Sequence, residues 1–522
     1  IEVDSKMKLC SILLLCAILS LCQGYRILAL FPFYGTSHFV MFEHLMKALA
    51  RKGHQVDVIG PFPLKKPYPN YRDIVTIPVP RTFMNNMTYA EMTTMINSAP
   101  AYAVATILGN AVCEYLGNED VQKFLKNLPK DHPYDVVLIE VCCFFMIFLL
   151  RIFGANCFAA VGHVLNVPII GASSSNLAYQ PNNLLSFVED MNFWQRLYNV
   201  LHTTYNKWIF RYASNVQTEI IRKYISPDLP DIRELEKKIS MILVNSHMSL
   251  NGIKSTIPAF VEVGGLHVQE EGVELPASLE KWMNDSKNGF IYFSFGSMVK
   301  IESFPAKYLQ IFYNSLGKIA PVRVLMKIAK SDELPPGLPG NVHTLSWIPQ
   351  VKVLKHPNVR AFITHGGLMG TQEAIHYGVP MIGIPLFADQ FINIDVGTQK
   401  NITIGLNLDT LTEEKMDDAL KAILNDPKYR EAAKKLSVKF LDRPMNASET
   451  AVYWVEYIIK HGADALRSPA MKLTWWQVEL LDVYAFLLIT ALISLYISIV
   501  VLRFMFHLVN SNDSVSHKKK VS

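Results

Sequence analysis

Two segments carry side chains whose types and spacing could do chemistry. In the second half, Phe362-Ile363-Thr364-His365-Gly366-Gly367-Leu368-Met369-Gly370-Thr371-Gln372-Glu373 ends an apolar run and opens a helical one. Small residues at such a turn let backbone approach a ligand, and the free amides and positive dipole of a helix start favour phosphate oxygens. His365 is placed to donate to the same anion. In the first half, His38 follows Gly35-Thr36-Ser37, after one apolar run and at the start of a helical pattern. An imidazole there is in position to accept a proton.

The elements that must hold these groups are legible in the hydrophobic pattern. Residues 26–31 form an apolar strand, 32–38 a loop, and 39–51 a helix with Phe42, Leu45, Met46 and Leu49 on one face; residues 55–59 form a second strand. This is a βαβ opening of Rossmann type. The grammar recurs at 134–139 and 167–171. It restarts at 290–295, ahead of Gly296-Ser297, and runs through 322–328, 342–345, 359–364, 380–385 and 401–408. The expected fold class is therefore α/β, with two doubly wound Rossmann-like domains. Ligands of open α/β sheets bind at the carboxyl ends of strands, so two such domains facing each other make a cleft. The expected first domain covers 25–256 and the second 286–461, joined by a linker at 257–285 with Gly264-Gly265 and Pro276.

Both ends carry membrane signals. Met7-Lys8 precede an apolar stretch ending near Cys22-Gln23-Gly24, which reads as a signal peptide over 7–24, with residues 1–6 lying upstream of it. Residues 462–482 form a juxtamembrane segment. The uncharged run 483–502, between Asp482 and Arg503, reads as a transmembrane helix followed by a basic tail, 503–522. Positive charge beyond the span places the domains in a lumen, and the lysines of the tail suit retention in the endoplasmic reticulum membrane. The sequons at Asn86, Asn284, Asn401 and Asn446 are expected glycosylation sites on that route. A formal charge of +5 over 522 residues gives no sign of a nucleic-acid partner, and the cysteines show neither a disulfide framework nor a zinc spacing. Oligomeric state is left open; a homo-oligomer is compatible with the sequence.

Upstream of the glycine turn lies Trp347-Ile348-Pro349-Gln350, and downstream Gly378-Val379-Pro380 leads to Pro385-Leu386-Phe387-Ala388-Asp389-Gln390. In this order the motifs resemble the donor signature of the membrane-bound UDP-glycosyltransferases, and the wording around 366–373 and 390–393 is most similar to insect members. The resemblance extends over nearly the whole mature chain and implies a GT-B type fold. It further implies that Trp347 stacks on uracil, that Gln350 and Glu373 bind ribose hydroxyls, and that Ser297, His365 and the amides near Gly367 and Gly370 hold the diphosphate. Asp389 and Gln390 would grip the sugar. No Asp-any-Asp pair occurs, so helix dipole and His365, not a metal, are expected to stabilise departing UDP, and no cofactor beyond the co-substrate is expected.

By the same resemblance His38 is the catalytic base, oriented by a carboxylate at the end of a later strand, here Glu140. Residues 142–152 look inserted, because removing them joins Glu140-Val141 to Phe153-Gly154-Ala155-Asn156. An apolar insertion beside a working carboxylate is expected to be a retained transcript fragment, or else a change that silences the enzyme. Acceptors are expected to be small lipophilic molecules bound by 83–114 and 179–208, where Met84, Met87, Met92 and Met95 cluster. The implied activity is inverting hexosyl transfer, glucose being the expected sugar, as in detoxification or conjugation. The alternative is a silent relative that binds UDP-sugar or a lipophilic ligand.

Overall fold

Short runs of three to six residues form thirteen parallel strands in two sheets among the described residues. The computed structural model describes residues 24–78, 86–95, 100–127, 134–140, 157–162, 176–182, 185, 187, 190–270 and 272–519. The first sheet has β1 (Arg26–Leu30), β2 (Gln55–Gly60), β3 (Tyr71–Thr76), β4 (Val136–Glu140), β5 (Cys157–Gly162), β6 (Met241–Val244) and β7 (Phe260–Glu262) in the order β3-β2-β1-β4-β5-β6-β7. The second has β8 (Phe290–Ser294), β9 (Arg323–Lys327), β10 (Val342–Leu345), β11 (Val359–Thr364), β12 (Met381–Gly383) and β13 (Thr403–Gly405), ordered β10-β9-β8-β11-β12-β13. Their central strands are buried along their length, as expected where helices cover both faces of a parallel sheet. Both sheets lie in one compact unit ending at Arg467. The fold is α/β of the expected two-sheet kind. The strand expected at 167–171 and the segment 142–152 lie outside the described residues.

Helices α1 (Thr36–Arg51), α2 (Phe193–Ser214), α3 (Leu368–His376), α4 (Gln390–Gln399) and α5 (Ala447–His461) matter most for the site. α1 starts earlier than the apolar periodicity suggested, at Thr36, so His38 sits in its first turn. Phe39, Phe42, Leu45, Met46 and Leu49 bury the inner face of α1 against β1 and β2, and Phe31 stacks on Phe42 with centroids 4.0 Å apart.

Three features of the packing were not revealed by hydrophobic periodicity. β7 lies within the stretch expected to be linker, yet its Phe260–Glu262 pairs with β6 as the outer strand of the first sheet. α5 follows the second sheet in sequence but buries Ala447, Ala451, Val452, Val455 and Ile458 in the core of the first. His54 joins it there, accepting from the Tyr25 amide at Nδ1 and meeting Glu456 Oε1 through Nε2 at 2.9 Å. Third, Asn86 and Met87 donate backbone N–H bonds to Ser297 and Met298 carbonyls, and Met92 is buried in the second sheet's core.

The unit from Ser468 onward holds a short helix, Trp475–Val478, and α6 (Leu481–Lys519). Leu481–Leu508 of α6 is long and apolar enough to cross a membrane, with a hydropathy of 2.7. It is longer at both ends than the run 483–502, because Phe504-Met505-Phe506 continue the apolar surface past Arg503.

Candidate active site

The carboxyl ends of both sheets open on a cleft of about 1420 Å³. β1 and β4 are neighbours, so the first turn of α1 and the last residue of β4 converge on its wall. There His38 Nδ1 lies 3.2 Å from Glu140 Oε1. Glu140 is only 3% exposed, and its Oε2 has no partner among the described residues. The two sequence-predicted acid–base residues therefore meet, with the imidazole on the cleft side, and glutamate is long enough to reach it.

On the opposite wall β8 and β11 end side by side. Gly296 after β8 and Gly366 after β11 take φ of +73° and +83°. At Gly366 a Cβ would also stand 2.6 Å from Ile394, so only glycine fits this turn. The turn delivers the start of α3 toward the cleft. Ser297 Oγ and His365 Nδ1 are buried there without partners among the described residues, a pair of polar atoms poised for an anion. Burial, reinforced by the Lys327 ammonium, pushes the His365 pKa down to about 4, so near pH 7 the ring is neutral and offers one N–H.

Lys327 was not anticipated. It ends β9, lines the cleft, and its Nζ donates to the Gly296 carbonyl at 2.9 Å; burial pushes its pKa down. A cation at the end of a strand pointing at a phosphate-type turn was the signal that could have found it.

Glu373 and Gln350 form a joined pair. Gln350 Nε2 donates to Glu373 Oε2 at 2.6 Å, and Tyr292 Oη donates to Gln350 Oε1 at 3.0 Å. His267 Nε2 approaches Glu373 Oε1 at 3.5 Å and the Met369 carbonyl at 3.1 Å. Tyr292 and His267, missed in the sequence, thus orient the carboxylate. The Gly370 backbone borders this pair, a Cβ there standing 3.3 Å from Gln350 Nε2, and Gly367 precedes α3. Trp347 presents its indole to the cleft, 72% exposed, a free platform for a planar ring.

At the cleft's other end Asp389 precedes α4. Ala388 before it holds φ +56°, a strained setting worth about 1–3 kcal/mol. Asn393 Nδ2 ties Asp389 Oδ2 (2.9 Å) to the Gly366 carbonyl (2.9 Å). Asp389 is open to water at its surface yet crowded by protein from both walls. Burial among these groups pushes its carboxyl up, against the opposing pull of Asn393 and of His38 across the cleft. Gln390 departs from expectation. Its Oε1 accepts from the Leu386 and Phe387 amides at 2.8 and 3.1 Å, because the tight 385–389 loop needs those donors satisfied, so only its NH₂ remains to face the cleft.

Of the methionine cluster, Met87 and Met92 are buried and do not line the cleft. Met87 bridges to Val299 and Met92 packs on the second sheet, because this segment docks on the second sheet; Met84 and the Met95 side chain lie outside the description. Among the acceptor segments, Ala103, Val104, Tyr179, Pro181, Leu185 and Phe187 line the cleft. Asn86, Asn284, Asn401 and Asn446 are all exposed, though Ser286 and Thr403 of two sequons are buried. No cluster of His, Cys, Asp and Glu suited to a metal occurs among the described residues.

Residues 30–515 match the family model for UDP-glucoronosyl and UDP-glucosyl transferase. The chain is 34% identical over 491 residues to UDP-glucosyltransferase 2 of Dactylopius coccus, covering 91% of this chain and 92% of the relative. It is 36% identical to human UDP-glucuronosyltransferase 1A10 over 62% of this chain and 60% of that one. Among solved structures, Phytolacca americana UGT2 complexed with UDP-2fluoro-glucose and pterostilbene aligns with a TM-score of 0.56 over 83% of this chain and 100% of that one, at 15% identity, a likeness of fold.

Proposed function

We propose, from the premise that the chain belongs to the UDP-glycosyltransferase family and so moves a glycosyl group from a UDP-sugar to an acceptor, that the sugar is glucose and the acceptor a hydroxyl on a small lipophilic molecule. The observation that supports attack by a hydroxyl is the His38–Glu140 pair at 3.2 Å on the wall facing the glycine turn. With Nδ1 turned to the carboxylate, Nε2 takes the acceptor's proton. The freed oxygen attacks the anomeric carbon from the side opposite UDP, the bond to the diphosphate oxygen breaks, and UDP leaves with the electron pair, inverting the centre.

Each other group serves the donor. Trp347 stacks on uracil, and the Gln350–Glu373 pair binds the ribose. Ser297, neutral His365, Lys327 and the α3 amides receive the diphosphate charge, where preorganised donors in a crowded site act most strongly. Asp389 and the Gln390 NH₂ orient the sugar. The glucosyltransferase identity of the insect relative supports glucose; the apolar cleft residues support a lipophilic acceptor. Membranes carrying the full chain, supplied with UDP-glucose, UDP-glucuronate and a simple phenol, test the assignment. UDP-glucose should support transfer that His38→Ala abolishes. Preference for UDP-glucuronate would overturn the sugar, and UDP binding without any transfer would identify a silent relative. Residence in the endoplasmic reticulum membrane with both sheets lumenal belongs to the same proposal; glycans at Asn86, Asn284, Asn401 and Asn446 sensitive to endoglycosidase H would agree with it.

A further inference from the structure

Helix α3 buries a different face in each domain. Leu368, Ala374 and Ile375 lie in a core of the second sheet, whereas Met369 packs against the core of the first. Gln372, three residues beyond Met369 and so on the same face, is fully buried. Such a place suits an amide only when both its ends are bonded. Here both are, and by the first domain. Gln372 Oε1 accepts from the Gly265 amide at 2.9 Å, and its Nε2 donates to the Asn245 carbonyl, just past β6, at 3.4 Å. Asn245 Nδ2 in turn approaches Met369 Sδ at 3.4 Å, and His267 Nε2 meets the Met369 carbonyl at 3.1 Å.

The first-domain side of this tie is built for close approach. Val263 and Leu266, flanking Gly264-Gly265, are anchored in the core of the first sheet. A Cβ on Gly264 would stand 2.6 Å from the Ser246 carbonyl oxygen and 3.2 Å from Gln372 Nε2, and Gly265 holds φ +84°, so glycine is what lets the chain run this near α3. Asn245 and Gly265 follow β6 and β7, at the same carboxyl edge that presents His38 after β1 and Glu140 at the end of β4. The tie and the acid–base pair therefore share one frame. On its other side, α3 begins at the glycine turn and carries Glu373 next to Gln372. Gln372 itself does not line the cleft.

We propose that Gln372 is a positioning residue for transfer: by tying α3 to Asn245 and Gly265 it sets the spacing between the first-domain wall and the anomeric carbon of the donor. With His38 as the base, the reading on which this rests, that spacing governs the rate. Attack needs reacting atoms within about 3–3.5 Å, and a misplacement near 1 Å costs on the order of 100-fold. Trp347, Gln350, Glu373, Ser297, His365 and Lys327 all belong to the second domain, so donor affinity survives a loosened tie.

Two variants of the full chain break the tie from opposite sides. Gln372→Met keeps the side chain's length and removes both bonds, whereas Gly264→Ala leaves α3 untouched and pushes the linker away from it. Each is assayed with whichever of UDP-glucose and UDP-glucuronate supports transfer to a simple phenol in the parent. The single-turnover rate at saturating donor should fall about 10- to 100-fold in both, while the Kd for UDP, by calorimetry, stays within about threefold. Cooperative melting shows that a variant is folded, and either one alone carries the test. A rate within about twofold of the parent's, or a loss matched by weaker UDP binding, would overturn the proposal, because a residue that merely shapes the second domain moves affinity. Transfer persisting in His38→Ala would overturn the base assignment, and this proposal with it, by a result that neither tie variant can produce.

Discussion

Replacing Glu140 by Gln tests the link between geometry and catalysis most directly. The substitution keeps size and hydrogen-bonding capacity but removes the charge 3.2 Å from His38 Nδ1. In the ground state a neutral imidazole loses little. In the proposed transition state the ring acquires a proton, and the carboxylate's attraction for it at this distance is about 5 kcal/mol at an effective dielectric of 20 and about 1 kcal/mol in water. The Glu140 side chain is 4% exposed and that of His38 29%, which places the pair between those limits, at roughly 2–4 kcal/mol, or about a 30- to 1000-fold loss in kcat. The KM for UDP-sugar should hardly move, because Glu140 is on the wall opposite the donor groups. Steady-state assays with purified full chain give both parameters. Glu140→Asp should recover part of the loss if the carboxylate positions and stabilises the ring. A loss below about threefold, or a loss carried by donor KM, would refute the reasoning.

Trp347→Ala should raise the KM for UDP-sugar about 5- to 100-fold with kcat little changed, since one base–aromatic stack contributes about 1–3 kcal/mol; kinetics with a UDP titration check it. Lys327→Met should weaken UDP binding by roughly 10- to 100-fold, the range for a charged hydrogen-bond donor, measured by calorimetry, whereas the acceptor KM stays within about twofold. His365 and His247 both have pKa values pushed to about 4 from 6.5, by burial and then by Lys327 and Arg443 respectively. The unfolded chain therefore binds more protons, and stability present above pH 6.5 drains away as pH falls toward 4, by at most about 3 kcal/mol per histidine. Melting at pH 7 and pH 5 should show a smaller acid loss in His365→Gln than in the parent.

How much was legible follows from how local each signal is. The strands of the site are short apolar runs, and the donor turn is a contiguous string in which Gly366 must be glycine, so both could be read directly. Glu140 was expected only through the family resemblance, and it is the pairing of β4 with β1 that brings it to His38. Lys327, Tyr292 and His267 escaped because their roles depend on neighbours distant in sequence. The Met87–Met92 segment read as a soft pocket, but apolar side chains serve a core equally well, and only the backbone bonds to Ser297 and Met298 decide it. The stretch 179–208 was expected to serve the acceptor, but the bonds of Asn199 and Asn182 show that the polar side of α2 is the buried one and its aromatic side chains lie outward.

The return of α5 to the first sheet has a practical corollary for engineering. Exchanging front halves between relatives to trade acceptor preference would leave Val452, Val455 and Ile458 of one parent seated among β-strand residues of the other. A graft with junctions on both sides, taking 447–461 along with everything before β8, would keep that seam native and should express where a single-crossover hybrid does not.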